Sequence, residues 1–90
     1  MTISEIIEKV KEICNENNVA HLYLFGSYAK GTNRMGSDID FVVKGAKDIR
    51  KIRKDIDNIR TLETINTFDY DNIKNKGLIE EIDRYAKPIF

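Results

Sequence analysis

Apolar residues recur at Ile3, Ile6, Ile7, Val10, Ile13 and Cys14 with charges between them, the three-and-four spacing of an amphipathic helix. Thr2 with Glu5 three residues later predicts a capping box at its start, and Asn17-Asn18 marks its end. The pattern then changes. Val19 to Phe25 is apolar on both parities, which predicts a strand covered on both faces and stopping at Gly26. Residues 26–37 are polar and hold three of the five glycines; Ser27-Tyr28-Ala29-Lys30 can make one helical turn before Gly31 breaks it. From Asp38 to Val43 the alternation of a strand returns, with Ile39, Phe41 and Val43 on one side and Asp38 and Asp40 on the other. Gly45 opens a turn, and Ile49, Ile52, Ile56 and Ile59 mark one face of a strongly charged helix. A third strand is expected over Leu62 to Phe68, with poor alternation, and a last helix over Leu78 to Tyr85. Pro88-Ile89-Phe90 reads as a short edge strand. The order helix–strand–strand–helix–strand–helix predicts a mixed α/β (α+β) fold.

Ninety residues fit a single domain over 1–90. The 41% apolar content supplies a modest core, so a ligand or partner can contribute to stability. Fifteen basic and fifteen acidic residues cancel, which argues against a generic nucleic-acid or membrane-surface binder. A single cysteine, Cys14, excludes an internal disulfide or a multi-cysteine zinc site and suits a reducing interior. No run approaches the roughly 18 apolar residues that span a bilayer. The expectation is a soluble, cytoplasmic protein without a signal peptide.

The chemistry concentrates in Phe25-Gly26-Ser27, ten intervening residues, then Asp38-Ile39-Asp40. A glycine after a buried strand lets backbone approach a ligand with no Cβ in the way. The N–H groups of a following helical turn and the Ser27 hydroxyl favour an anion such as phosphate. Two aspartates one residue apart on a strand project from the same face, and their repulsion invites a hard divalent ion. Between turn and strand, Lys30 and Arg34 stand without an acidic neighbour, a local excess of two positive charges. Each feature has a plainer reading: a strand-ending turn, a solvated strand face, ordinary loop charges. Arg34 is the better phosphate contact of the two cations, and Ser37 is expected to bond within the turn before Asp38.

Gly26-Ser27, the ten-residue spacing and Asp38-Ile39-Asp40 resemble the signature of the DNA polymerase β nucleotidyltransferase superfamily. The fuller string Gly26 to Gly31 and Ser37 to Val43, with the ending Ile82 to Phe90, is similar to its minimal MNT branch over nearly the whole chain. The resemblance implies a small mixed sheet with helices packed against it. It also implies Ser27 with Gly26 on the triphosphate, Arg34 and Ser37 nearby, and Asp38 and Asp40 as catalytic residues binding two Mg²⁺ ions. The implied reaction moves AMP from ATP to a hydroxyl and releases pyrophosphate. Many MNT proteins are antitoxins of HEPN-type toxins, and some adenylylate a tyrosine of that partner. The implied partners are thus ATP and a HEPN-type toxin, with no membrane and no direct nucleic-acid binding. A homodimer or hetero-oligomer is compatible with the exposed final strand. A small-molecule acceptor would need a second chain to supply its pocket.

One position departs from that family. A third carboxylate is expected on the strand after the second main helix, and counting back from the ending places Asn66 there. Glu63 and Asp69 are substitutes only if a bulge restores them, because an odd displacement puts them on the opposite face. An asparagine oxygen coordinates Mg²⁺ without charge, so nucleotide binding should survive better than transfer. Elsewhere the expectations are plain. His21 should be a packed, hydrogen-bonded core residue and Cys14 a small buried hydrophobe. Tyr28 covers the turn or stacks near the nucleotide, and Lys47 to Arg60 is a solvated helix.

Overall fold

The computed structural model describes residues 1–90. Helix α1, Ile3–Glu16, begins where its cap requires. The Thr2 hydroxyl accepts the Glu5 N–H at 3.2 Å, and the Glu5 carboxylate accepts the Thr2 N–H at 3.0 Å. That hydrogen bonding holds the Glu5 carboxyl below its usual range. Ile6, Val10 and Cys14 form the fully buried stripe of α1.

The remaining elements are β1 (His21–Phe25), α2 (Gly26–Lys30), β2 (Ile39–Lys44), α3 (Ile49–Asp57), β3 (Ile65–Asp69), a 3₁₀ turn over Tyr70–Asn72, α4 (Lys76–Tyr85) and β4 (Lys87–Pro88). They form one four-stranded mixed sheet in the order β3-β2-β1-β4. β1 runs antiparallel to β2 and to β4, whereas β2 and β3 are parallel, joined through α3. Parallel pairing needs such a crossover because a tight turn can only reverse the chain.

The two faces are covered differently. On one, Leu22, Ile39, Phe41 and Val43 pack with Ile6, Val10 and Cys14 of α1 and Ile52 and Ile56 of α3. On the other, Phe25 and Val42 meet Ile82 of α4, with Tyr23, Phe68 and Tyr70 around them. Phe25 and Phe68 meet edge-to-face at 6.0 Å. The first strand is therefore covered on both sides, as its unbroken apolar run predicts.

Several expectations need correction. His21 is exposed, at the outer end of β1, and is not a packed core residue. The helical turn after Gly26 forms as expected, ending at Gly31. The third strand starts at Ile65 and not Leu62, whose side chain is fully exposed. The final strand is Lys87–Pro88, though its pairing continues past Pro88. The Ile89 N–H donates to the Leu22 carbonyl at 2.7 Å, and the Leu22 N–H to the Phe90 carbonyl at 3.1 Å. No helix is long and apolar enough to cross a membrane.

Candidate active site

Three neighbouring strands bring the site together through their register. Phe25 of β1 stands opposite Asp40 of β2, and Asp40 stands opposite Asn66 of β3. Paired residues share a face, so Asp40 and Asn66 emerge on the α4 side, next to Val42 and Phe68. Asp38 lies two residues before Asp40 and points the same way. The Asn66 amide nitrogen donates to Asp38 Oδ2 at 3.0 Å and to Asp40 Oδ1 at 2.9 Å.

Gly26 explains how the turn and the aspartates fit in one space. Its φ is +70°, and a Cβ added there would collide with the Asp40 carboxylate. Only glycine meets both conditions. Gly26-Ser27 therefore opens α2 directly against Asp40, and the sequence-predicted convergence of turn and strand is present.

The other expected site residues divide. The Ser37 hydroxyl accepts the Arg34 N–H at 2.8 Å, and the Ser37 N–H donates back to the Arg34 carbonyl at 3.0 Å. Ser37 thus ties the turn that delivers Asp38, and Arg34 is exposed on that turn with no ion-pair partner. Lys30 is drawn elsewhere. Its ammonium lies 3.5 Å from Glu81 and 4.4 Å over the Tyr85 ring, on α4.

Glu63 and Asp69 do not join the aspartates. Glu63 precedes β3 and is bonded to the Thr61 hydroxyl, which lowers its carboxyl below the usual range. Asp69 is buried on the α1/α3 side, held by the Asn72 amide through one oxygen, while the other oxygen has no partner. No bulge carries either across. No cluster of three acidic, histidine or cysteine side chains forms in the molecule, so at the aspartate pair the third neighbour is an amide.

Two residues escape the sequence reading. Met35 and Leu62 are fully exposed and, with Ile3 and Tyr28, line a surface cleft beside the turn at Gly36. The cleft adjoins the site, since Thr64 on its rim accepts the Ile39 N–H at 2.9 Å, next to Asp38 and Asp40. The only signal of Met35 in the sequence is a large apolar side chain alone in a polar stretch, and Leu62 reads there as the start of the third strand. Tyr28 packs against the core and borders this cleft.

Two carboxylates with an amide beside them suit a hard cation that prefers oxygen ligands, so the residues present fit Mg²⁺. A glycine–serine turn against that pair suits the phosphates such a cation accompanies.

Comparison with known proteins gives the family and the fold. The sequence pattern of the family described as Polymerase beta, Nucleotidyltransferase matches residues 8–90. Members generally use Mg²⁺ and a nucleoside triphosphate. No curated protein matches the chain. Among solved structures, a toxin–antitoxin bound to AMP-PNP is similar at 23% identity, over 92% of this chain and 71% of that one, with a TM-score of 0.69. A mutant of the toxin–antitoxin MntA–HpeT is similar at 19% identity, over 92% and 70%, with a TM-score of 0.65. A nucleotidyltransferase candidate from Sulfolobus solfataricus follows at 24% identity, over 98% and 85%, with a TM-score of 0.50. At these identities the likeness is one of fold, and that fold is the minimal, MntA-like one. On the family match over nearly its full length, with the glycine–serine turn set against the aspartate pair, the chain belongs to the polymerase β nucleotidyltransferase family.

Proposed function

We propose that this protein is an antitoxin that transfers AMP from Mg²⁺-bound ATP to a tyrosine hydroxyl of a HEPN-type toxin partner. One observation carries the reading: Gly26-Ser27 opens against the Asp40 carboxylate, with Asp38 beside it. The acceptor oxygen bonds to the α-phosphorus, the α–β bridging bond breaks, pyrophosphate leaves, and the hydroxyl proton passes to water. Bound Mg²⁺ supplies neutralisation of phosphate charge as it moves to the leaving group. Ser27 and the Gly26 backbone hold phosphate oxygens. Asp38 and Asp40 hold the metal, and Arg34 reaches the phosphates from the turn that Ser37 ties. Catalysis in this arrangement is positioning and charge neutralisation. The exposed Met35 and Leu62 favour a protein acceptor over a small molecule, because apolar surface beside a polar site suits a macromolecular partner. A reaction that consumes ATP fits the cytoplasm.

Labelled ATP, Mg²⁺ and a HEPN-type toxin that this protein neutralises test the proposal. The toxin should take up label, and Asp38→Asn with Asp40→Asn should abolish it. An unlabelled toxin, or label indifferent to the double substitution, defeats the proposal.

The Asn66 amide favours a second reading, in which the protein binds nucleotide but neutralises its partner by stoichiometric contact. Neutralisation that survives the double aspartate substitution at equal protein levels decides for it.

A further inference from the structure

We propose that Asn66 is a neutral latch on the aspartate pair. Its N–H groups bridge Asp38 and Asp40 in the cation-free protein, and its oxygen turns inward when a cation enters. The site then takes one divalent cation with its nucleotide rather than two. The inference rests on the reading that this pair binds a metal–nucleotide complex.

The argument begins with unpaired charge. Ionised carboxylates can only accept hydrogen bonds. No lysine, arginine or backbone N–H reaches Asp38 or Asp40, and the one donor to both is the Asn66 amide nitrogen, at 3.0 and 2.9 Å. One nitrogen within reach of two carboxylates stands where a bridging cation would. Its hydrogens relieve in part the repulsion that a cation relieves fully.

The arrangement is fixed by backbone. The parallel ladder sets Asn66 opposite Asp40, so the amide is delivered to the pair by register. Asp40 is engaged through one oxygen: Oδ1 accepts from Asn66, while Oδ2 lies in the room left by the missing Cβ of Gly26. Both aspartates already face the shared space in which the amide nitrogen sits, so an entering ion meets the amide first and the amide is the group that yields. A carboxamide carries donor and acceptor on one rotor, and half a turn about its last side-chain bond replaces N–H with C=O.

Charge then sets the number of ions. Two carboxylates balance one divalent cation, and the amide oxygen adds a ligand but no charge. The triphosphate brings its own negative charge to the ion it accompanies. On the protein side, a second ion would share two carboxylates already committed to the first, and only a carboxylate at position 66 would add another anionic ligand. That same carboxylate would leave three like charges together whenever the metal is absent. Asparagine keeps the cation-free site stable and limits it to one ion.

Melting without nucleotide tests the latch. In chelator, Asn66→Asp should melt roughly 4–8 °C below the wild type. Mn²⁺ should recover that deficit, raising the variant more than the wild type. Asn66→Ala should also melt lower in chelator, because the pair loses its only donor. Variants that match the wild type in chelator and gain no more from Mn²⁺ overturn the latch. With a non-hydrolysable ATP analogue, electron paramagnetic resonance should count one bound Mn²⁺ per wild-type chain and two in Asn66→Asp. Two in the wild type, or one in the variant, overturns the single-ion claim. If neither protein takes up the analogue with Mn²⁺, the proposed function and the ion count fall together, while the melting comparison still decides the latch.

Discussion

The two faces of the sheet treat the same central strand in opposite ways. Toward α1 and α3, β2 presents Ile39, Phe41 and Val43, all fully buried in the larger cluster. Toward α4 it presents Val42 in a cluster of three buried residues and then Asp40, half-covered and turned to the site. One face is closed by two helices from end to end. The other is closed by α4 over Val42 and Phe25, and the sheet beyond them opens at Asp40 and Asn66. A strand can thus anchor a domain with alternate residues and leave the others for polar chemistry, since successive side chains point to opposite faces. In a small domain that division matters, because the cluster on the site's face is small and the larger one carries most of the burial.

Substitutions on each face can break or sharpen the contrast. The largest effect should come from Phe41→Ala, which opens a cavity beneath both α1 and α3. It should cost about 3–5 kcal/mol, measured by denaturant unfolding, a large share of the roughly 5–15 kcal/mol expected of a domain. A loss under 1 kcal/mol would show that this face does not dominate.

Next comes Gly26→Ala on the opposite face. The left-handed backbone alone should cost about 1–2 kcal/mol. The added methyl group must also displace the Asp40 carboxylate. Metal-dependent nucleotide binding, followed by calorimetry, should fall at least about tenfold, matching 1.4 kcal/mol or more. Unchanged binding would mean that the close approach of turn and aspartate plays no part in the site.

The effect confined to the narrowest range of conditions is a pH dependence on the closed face. Burial pushes the Cys14 thiol up to about 11 from an ordinary value of 9.0. The folded state keeps its proton where the unfolded state has lost it. The resulting stability is present in full below pH 9 and is lost as the pH rises from 9 to about 11. Unfolding curves across that window should show a steeper loss for the wild type than for Cys14→Ala. Parallel curves would place the thiol in a less apolar setting than its complete burial implies.

Much of this could be read along the chain. α1 and α3 were legible because a helix buries residues at three-and-four spacing, and Thr2 with Glu5 marked the cap within a turn of its effect. Ser27, Asp38 and Asp40 were legible because turn and strand rules act over a few residues. Less legible were elements whose boundaries depend on distant partners. Leu62 looks like a strand residue, but the ladder with β2 extends to Ile65 opposite Ile39, while Leu62 itself is left fully exposed. His21 sits in an apolar run, yet it falls at the rim of β1, opposite exposed Lys44. Lys30 stands near the site in sequence, but α4 packs close enough to draw it away.

By itself, then, the sequence determined the helices, the strands, the glycine–serine turn and the spacing of the two aspartates, all consequences of local backbone preference and side-chain period. Tertiary structure decided which residue completes the cluster. Asn66, Glu63 and Asp69 lie close together in the chain, and any bulge would have changed the choice among them. The parallel register of β3 on β2 sets Asn66 opposite Asp40 and sends Asp69 to the other face, because a shift of one residue along a strand reverses the side on which it emerges.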